Sequence, residues 1–264
     1  MWNGTQWVPN TATAPAAAQP PTTSPDGLWM WNGTQWVPNT FQAIAPYASA
    51  DVRAMLTTIF IAVNVIGVLL FITYDVLEEL QFLERAPDEG ALGTAVSFAA
   101  LFAALGYFGS LIVAIVFFCM WLHRIVRNMP SLGAPNPIFS PAAAVGLCFV
   151  PFVNLVQPLL SVLDAWGGST LYGQLLPRDR RMSARVATVV VGWWATWLVA
   201  RIVQLVGSLV YDQVNASSRF ASAVLDIAGN VLLGICAVLA ILVVRRLTAR
   251  QDARNQLIVS GQLA

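Results

Sequence analysis

SPAAAVGLCFVPFVNLVQPLL, residues 140–160, is apolar enough to enter a bilayer yet interrupted by Pro141, Pro151 and Pro158, with Asn154 and Gln157 between the last two. Proline removes a backbone donor and clashes with the preceding turn, so two half-helices broken near Pro151 are expected rather than one rod. Non-helical backbone at membrane depth persists only where protein shields it or where it lines a wet cavity. Whether the apolar segment 141–163 crosses the membrane therefore decides the topology of the whole chain.

Its surroundings are unambiguous about the solvent. The 264 residues are 57% hydrophobic and 10% charged, with mean hydropathy +0.67, far outside the soluble range. A span needs about 20 apolar residues. The segments 54–74, 98–122 (within a longer apolar run from Ala91), 186–210 and 221–244 meet that test. No short apolar stretch followed by a small-residue cleavage site opens the chain, so the first span is expected to serve as the targeting signal.

Arginine counts orient these spans. The loop 75–90 holds six acids and one Arg, whereas 123–140, 164–185 and 245–264 hold two, four and four Arg. The positive-inside rule places the Arg-rich stretches, and with them the tail preceding Arg53, in the cytoplasm. Both flanks of 141–163 then fall on one side, which predicts a re-entrant or interfacial segment packed against four crossings. The competing arrangement is a kinked fifth crossing with the tail outside. The expected fold is all-α: a polytopic helical bundle of four crossing helices plus a Pro-broken segment, over 51–250, preceded by a mostly disordered tail, 1–50, and followed by a short cytoplasmic tail, 251–264.

A family pattern runs through this part. WLHRIVRNMPSLGAPNPIFSPAAAVGLCFVPFVNLVQPLL (121–160), GWWATWLVARI (192–202) and VVRRLTARQDAR (243–254) follow one another in order. The residues Trp121, Leu122, Arg124, Arg127 and Asn128, then Ser140, Pro141, Val150, Pro151, Asn154, Leu155 and Pro158, then Trp193 and Trp194, then Arg245, Arg246, Thr248, Arg250 and Gln251 carry the pattern. It resembles a family of actinobacterial membrane proteins known as domain of unknown function 4328, over about residues 54–254. His123 stands where that family suggests an aromatic residue. The resemblance implies a multi-pass membrane fold and no activity.

Polar residues inside the apolar segments are the candidate sites. Arg201, Gln204 and Ser208 share a face of 186–210, in line with Trp193 and Trp197, while Asp226 and Asn230 share a face of 221–244. Intramembrane charges are costly and usually paired, so Arg201 and Asp226 form a candidate polar pair, either functional or a clamp between two helices, with Trp197 positioned for a cation–π contact. Pro151, Asn154, Gln157 and Pro158 form a candidate broken-helix site. It resembles transporter sites built from freed backbone groups, or else seats an elbow whose second half-helix Asn154 caps. Gly106, Ser110 and Ala114 make a small-residue packing stripe. Arg246, Arg250 and Arg254 suit a helix leaving the bilayer along anionic headgroups, although topology determination alone is enough to explain them.

The tail reads differently. MWNGTQWVPN occupies residues 1–10 and returns as 30–39, separated by a Pro/Ala/Thr spacer. Asn-Gly favours a two-residue hairpin turn. A turn at Asn32-Gly33 pairs Trp31 with Thr34 and Trp29 with Trp36, which gathers Trp29, Trp31 and Trp36 on one face as a candidate partner-recognition surface. Such a hairpin is marginal alone, and a bound surface would complete it. Starting at Met1, the first copy lacks the hairpin's approach, so either the natural start lies upstream or that copy is a remnant. The stretch SPDGLWMWNGTQWVP resembles short Trp-rich modules that precede membrane segments in actinobacterial proteins.

Several function classes find no support. Cys119, Cys148 and Cys236 lie far apart within apolar runs and suggest neither disulfide nor metal. The lone His123, beside Arg124, reads as an interfacial packing residue. Neither a nucleophile with its base nor a phosphate-cradling loop is present, so no enzyme and no cofactor are expected. The net charge of +1 gives no basic patch for nucleic acid. Asn215-Ala216-Ser217 matches a glycosylation sequon without meaning in a bacterium. The expected protein sits in a bacterial inner membrane with both termini cytoplasmic. Its partners are the lipid bilayer and a protein bound by the tail, a small-solute transporter or channel-like component being the alternative.

Overall fold

The structure, a computed structural model, describes residues 4–6, 24, 29–31, 33–38, 45–79, 91–171, 187–212 and 215–262. It divides into two units, Met1–Ile44 and Ala45–Ala264.

In the first unit, β1 (Trp29–Trp31) pairs antiparallel with β2 (Trp36–Pro38), with Trp31 opposite Trp36, Met30 opposite Val37 and Trp29 opposite Pro38. The expected register of Trp31 with Thr34 is therefore wrong by two residues. A four-residue connection needs the left-handed region at Gly33 (φ +100°), and it sets the two indoles edge to face with centroids 5.8 Å apart. Cross-strand aromatic pairs of this kind stabilise a ladder where a Trp–Thr pair does little. A slip of two preserves the side-chain faces, so Trp29, Trp31 and Trp36 still occupy one face by register. All of the first copy except residues 4–6 lies outside the described residues.

The second unit is a helical bundle. Helix α1 (Asp51–Glu79) begins where Ser49 Oγ accepts the Asp51 N–H at 3.1 Å. Helix α2 (Ala91–Asn128) stops before Pro130, and a 3-10 turn at Pro130–Leu132 closes on Gly133 at φ +81°. Helix α5 (Thr188–Val210) and α6 (Ala216–Val259) complete the long elements. The sequon residue Asn215 is the cap of α6, accepting the N–H groups of Ser217 and Ser218 at 3.0 and 3.4 Å. Four of the described helices are long and apolar enough to span a membrane, within Asp51–Leu70, Ala104–Asn128, Thr188–Val210 and Ser217–Val259. Outward-facing Phe102, Ile112 and Leu209 are more than 60% exposed, as side chains solvated by lipid are.

The segment that decides the topology doubles back. Helix α3 (Pro141–Gly146) carries Pro at its first position, and Ser140 Oγ accepts the Ala143 N–H at 3.2 Å. A 3-10 turn (Leu147–Phe149) leads to the tip. There Phe152 sits at φ +62°, ψ −38° with the Val153 N–H donating to the Pro151 carbonyl at 2.8 Å, the geometry of a γ-turn. A second 3-10 turn (Val153–Leu155) precedes α4 (Gln157–Gly167). By helical rise α3 and α4 are about 9 and 17 Å long, both short of a core about 30 Å thick. The Ile138 N–H donates to Asp164 Oδ2 at 2.8 Å, and a Cβ at Gly168 would lie 3.1 Å from that of Ala134, so entry and exit meet at one level. The segment folds back on itself as a helical hairpin, as a re-entrant or interfacial element would.

Around the bundle α5 packs on α6, α6 on α1 and α1 on α2, and the hairpin fills the remaining space between α2 and α5. The buried core gathers at the hairpin end, around Trp121, Leu122, Ile125, Val162, Val190, Val244 and Leu247. Of the small-residue stripe, Ser110 and Ala114 are buried and Gly106 is exposed. Ser110 accepts from Asn64 of α1 at 3.2 Å, and one turn along α1 a Cβ added at Gly67 would lie 2.7 Å from the Tyr107 ring.

Candidate functional site: a polar clamp around the hairpin

The hairpin end holds a layer of buried polar side chains, several of which bond across to another element. Trp121 Nε1 donates to Thr248 Oγ1 at 2.9 Å, joining α2 to α6. One turn on, Gln251 Nε2 donates to the Ile125 carbonyl at 3.0 Å and its Oε1 accepts from Asn128 at 3.2 Å. The Asn128 amide also donates to the Ala48 carbonyl at 2.8 Å. Tyr47 donates to Asp252 Oδ1 at 2.7 Å. Residues 45–50 therefore belong to the membrane unit, six residues earlier than composition suggested, and α6 carries the clamp well past the expected boundary at 250. Burial and the adjacent Asp252 carboxylate push the Tyr47 phenol far above its ordinary 10.0.

Arg254 corrects the reading of α6 as a headgroup-lined exit. It is 6% exposed; its Nε donates to the Leu132 carbonyl at 2.8 Å and its Nη1 to the Thr170 carbonyl, so one guanidinium holds both flanks of the hairpin. Arg250 lies over Trp166 of α4, 4.7 Å from the ring centroid, the one cation–π contact among the described residues; Trp197 makes none with Arg201. Only Arg245 and Arg246 remain exposed, with Arg245 3.8 Å from Asp51. A planar fork of donors lets one side chain hold two carbonyls at once.

Inside the hairpin, Gln157 is 1% exposed and fully used. Its Nε2 donates to the Ala144 carbonyl at 2.8 Å and to Ser161 Oγ at 2.7 Å, and its Oε1 accepts from Cys148 Sγ at 3.2 Å. Burial pushes the Cys148 thiol up to about 11, which keeps it a donor. Pro158 stands in the first turn of α4, where its missing donor costs nothing. Asn154 does not cap α4: Val156 occupies that position without a side-chain bond, because the 3-10 turn at Val153–Leu155 lies between them. Pro151 is exposed at the tip, and Trp194 of α5 anchors the tip by donating to the Leu155 carbonyl at 2.6 Å. The site brings Gln157 and Pro158 into the hairpin's interior and leaves Pro151 and Asn154 at its turn.

The α5–α6 constellation takes another route than a direct ion pair. Arg201 donates to Gln204 Oε1 at 3.0 Å, and Gln204 donates to Asn230 Oδ1 at 3.2 Å. Asp226 sits against Gly207, where an added Cβ would lie 3.1 Å from its Oδ1, and Ser222 bonds the Gly207 carbonyl at 3.0 Å. Antiparallel helices pair residues of nearly constant sum, so Arg201 faces the level of Asn230, and Asp226 lies about one turn, roughly 5 Å, nearer the other end of the bundle.

These features define a polytopic helical membrane protein whose long helices are closed at one end by a clamped helical hairpin. The chain belongs to the family described as a domain of unknown function, DUF4328, whose model matches residues 84–249. The match takes in α2, the hairpin, α5 and α6 as far as Thr248 and Ala249. No curated protein and no solved structure matches.

Sequence reasoning missed Arg254, Tyr47 and Asp164 as parts of this site. Arg254 meets backbone carbonyls and Tyr47 the Asp252 carboxylate, all more than 80 residues away, and Asp164 accepts from the Ile138 amide across the hairpin; no spacing rule encodes these. The signal that was available, Trp121, Asn128, Thr248 and Gln251 within the family pattern, marks two bonds between α2 and α6, Trp121 with Thr248 and Asn128 with Gln251.

Proposed function

We propose that this chain is a multi-pass protein of a bacterial inner membrane that acts without catalysis, as a membrane-anchored interaction or regulatory protein whose tail docks a protein partner. The observation that carries the reading is the tail hairpin, with Trp31 and Trp36 edge to face and Trp36 half exposed. Aromatic anchors of this kind dominate recognition interfaces. By the positive-inside rule the Arg-rich hairpin end faces the cytoplasm, and both termini with it.

The alternative, a small-solute transporter, draws on the Arg201–Gln204–Asn230 chain between α5 and α6. Against it, every polar group of Gln157 is committed within the hairpin, so the break offers little to a solute. In-cell cross-linking of the full chain, of a chain lacking 1–44 and of Trp31→Ala/Trp36→Ala separates the two. The docking reading expects one discrete cross-linked species that both variants lose while the membrane unit keeps its melting temperature. Adducts unchanged in both variants would refute it.

A further inference from the structure

Between α2 and the first limb of the hairpin runs a groove of about 840 Å³. Ile112, Val116 and Met120 of α2 form one wall, and Val145 and Phe149 of the hairpin form the other. From Met120 to Ile112 it extends about 12 Å along the span. Its mouth is lined by Arg53 of α1 and His123 of α2. Arg124 and Arg127 follow on α2; His123 lies close enough to feel the charge of all three arginines, and Arg124 that of Arg53 and Arg127. Among the described residues no carboxylate lies within ion-pair distance of these arginines; the one such pair at this end is Arg245 with Asp51.

Three like charges with no counter-ion among the described residues are unfavourable unless an anion joins them. The wall below is apolar. An anion tethered to hydrocarbon satisfies both halves, and neither a free anion nor a neutral lipid does. We propose that this groove is a binding site for an anionic diacyl phospholipid, its phosphate among Arg53, Arg124 and Arg127 and an acyl chain along the groove. Basic pockets between spans on the cytoplasmic side select anionic headgroups in this way. The site depends on the hairpin, since a straight fifth crossing would supply no second wall.

Cys119 lines the groove and reports on its occupancy. In the full chain carrying Cys148→Ser and Cys236→Ser, the rate of Cys119 modification by N-ethylmaleimide is measured in mild detergent with added dioleoylphosphatidylglycerol, dioleoylphosphatidylcholine or inorganic phosphate. Phosphatidylglycerol is expected to protect at concentrations at least five-fold below those of phosphatidylcholine, and phosphate to leave the rate unchanged. In Arg53→Gln/Arg124→Gln the advantage of phosphatidylglycerol falls about five-fold per arginine, the factor corresponding to about 1 kcal/mol for each basic residue near an anionic surface. Equal protection by both lipids reduces the groove to ordinary lipid contact and overturns the proposal. Protection by phosphate alone, which makes it a free-anion site, overturns it too, as does no protection at all. Should the double variant fail to fold, native mass spectrometry of the wild type in an equimolar lipid mixture decides: retained phosphatidylglycerol in at least five-fold excess supports the site, and a smaller excess refutes it.

Discussion

Replacing Arg254 by Ala tests whether the late arginines of α6 hold structure or merely sit among headgroups. Arg254 is 6% exposed and donates to the Leu132 and Thr170 carbonyls, one on each flank of the hairpin. A hydrogen bond to a charged group contributes about 1.5–3 kcal/mol, so losing two, less the guanidinium desolvation no longer incurred, destabilises by about 3 kcal/mol. At 2–4 °C per kcal/mol for a chain of this size, melting should fall by about 6–12 °C. Arg246, exposed two turns earlier, is the control, and Arg246→Ala should shift melting by less than about 2 °C. Arg254→Lys keeps the charge without the fork and should recover less than half of the loss. The assay is thermal unfolding in mild detergent, followed by the monodisperse fraction remaining. If Arg254→Ala and Arg246→Ala melt within 2 °C of one another, the clamp is not what holds the hairpin.

Two further outcomes follow from the same geometry. Gln157→Leu keeps the bulk but strips the Ala144 carbonyl, Ser161 and Cys148 of their partner; the loss should be about 1–3 kcal/mol, with faster modification of Cys148 in a Cys119→Ser/Cys236→Ser background, and wild-type melting in that variant would contradict the assignment. Tyr47 has its phenol pKa raised in the folded state, so the stability it adds is complete below the unfolded value of 10.0 and is lost as pH rises beyond it; the absorbance titration of wild type minus that of Tyr47→Phe should show one tyrosine ionising by pH 11 in the unfolded chain and none by that pH in the folded chain.

Much of the fold was legible because the bilayer imposes lengths. Four runs of sufficient apolar length became the four long helices, and Pro151 marked the break that the γ-turn at Phe152 realises. The doubling back was argued from arginine counts; what enforces it is the bond from Ile138 to Asp164 and the contact of Gly168 with Ala134. The tail's register slipped because Asn-Gly predicts a turn from backbone preference alone, while the Trp31–Trp36 pair weighs the whole ladder. Arg201 and Asp226 were placed on facing helices correctly, but periodicity cannot fix the offset between two helices, and the offset sends Arg201 to Gln204. Arg254 was illegible in principle: an arginine beyond a span looks the same whether it meets phosphates or carbonyls.

The most direct test of the re-entrant hairpin is side-specific labelling of single cysteines at Pro135, Ser183 and Ser217 in a Cys119→Ser/Cys148→Ser/Cys236→Ser background, in intact cells, with an impermeant maleimide. Pro135 and Ser183 flank the hairpin in sequence, and Ser217 lies at the start of α6. The account predicts that Pro135→Cys and Ser183→Cys behave alike and opposite to Ser217→Cys. If Pro135→Cys and Ser183→Cys react from opposite sides of the membrane, the segment crosses and the hairpin is contradicted.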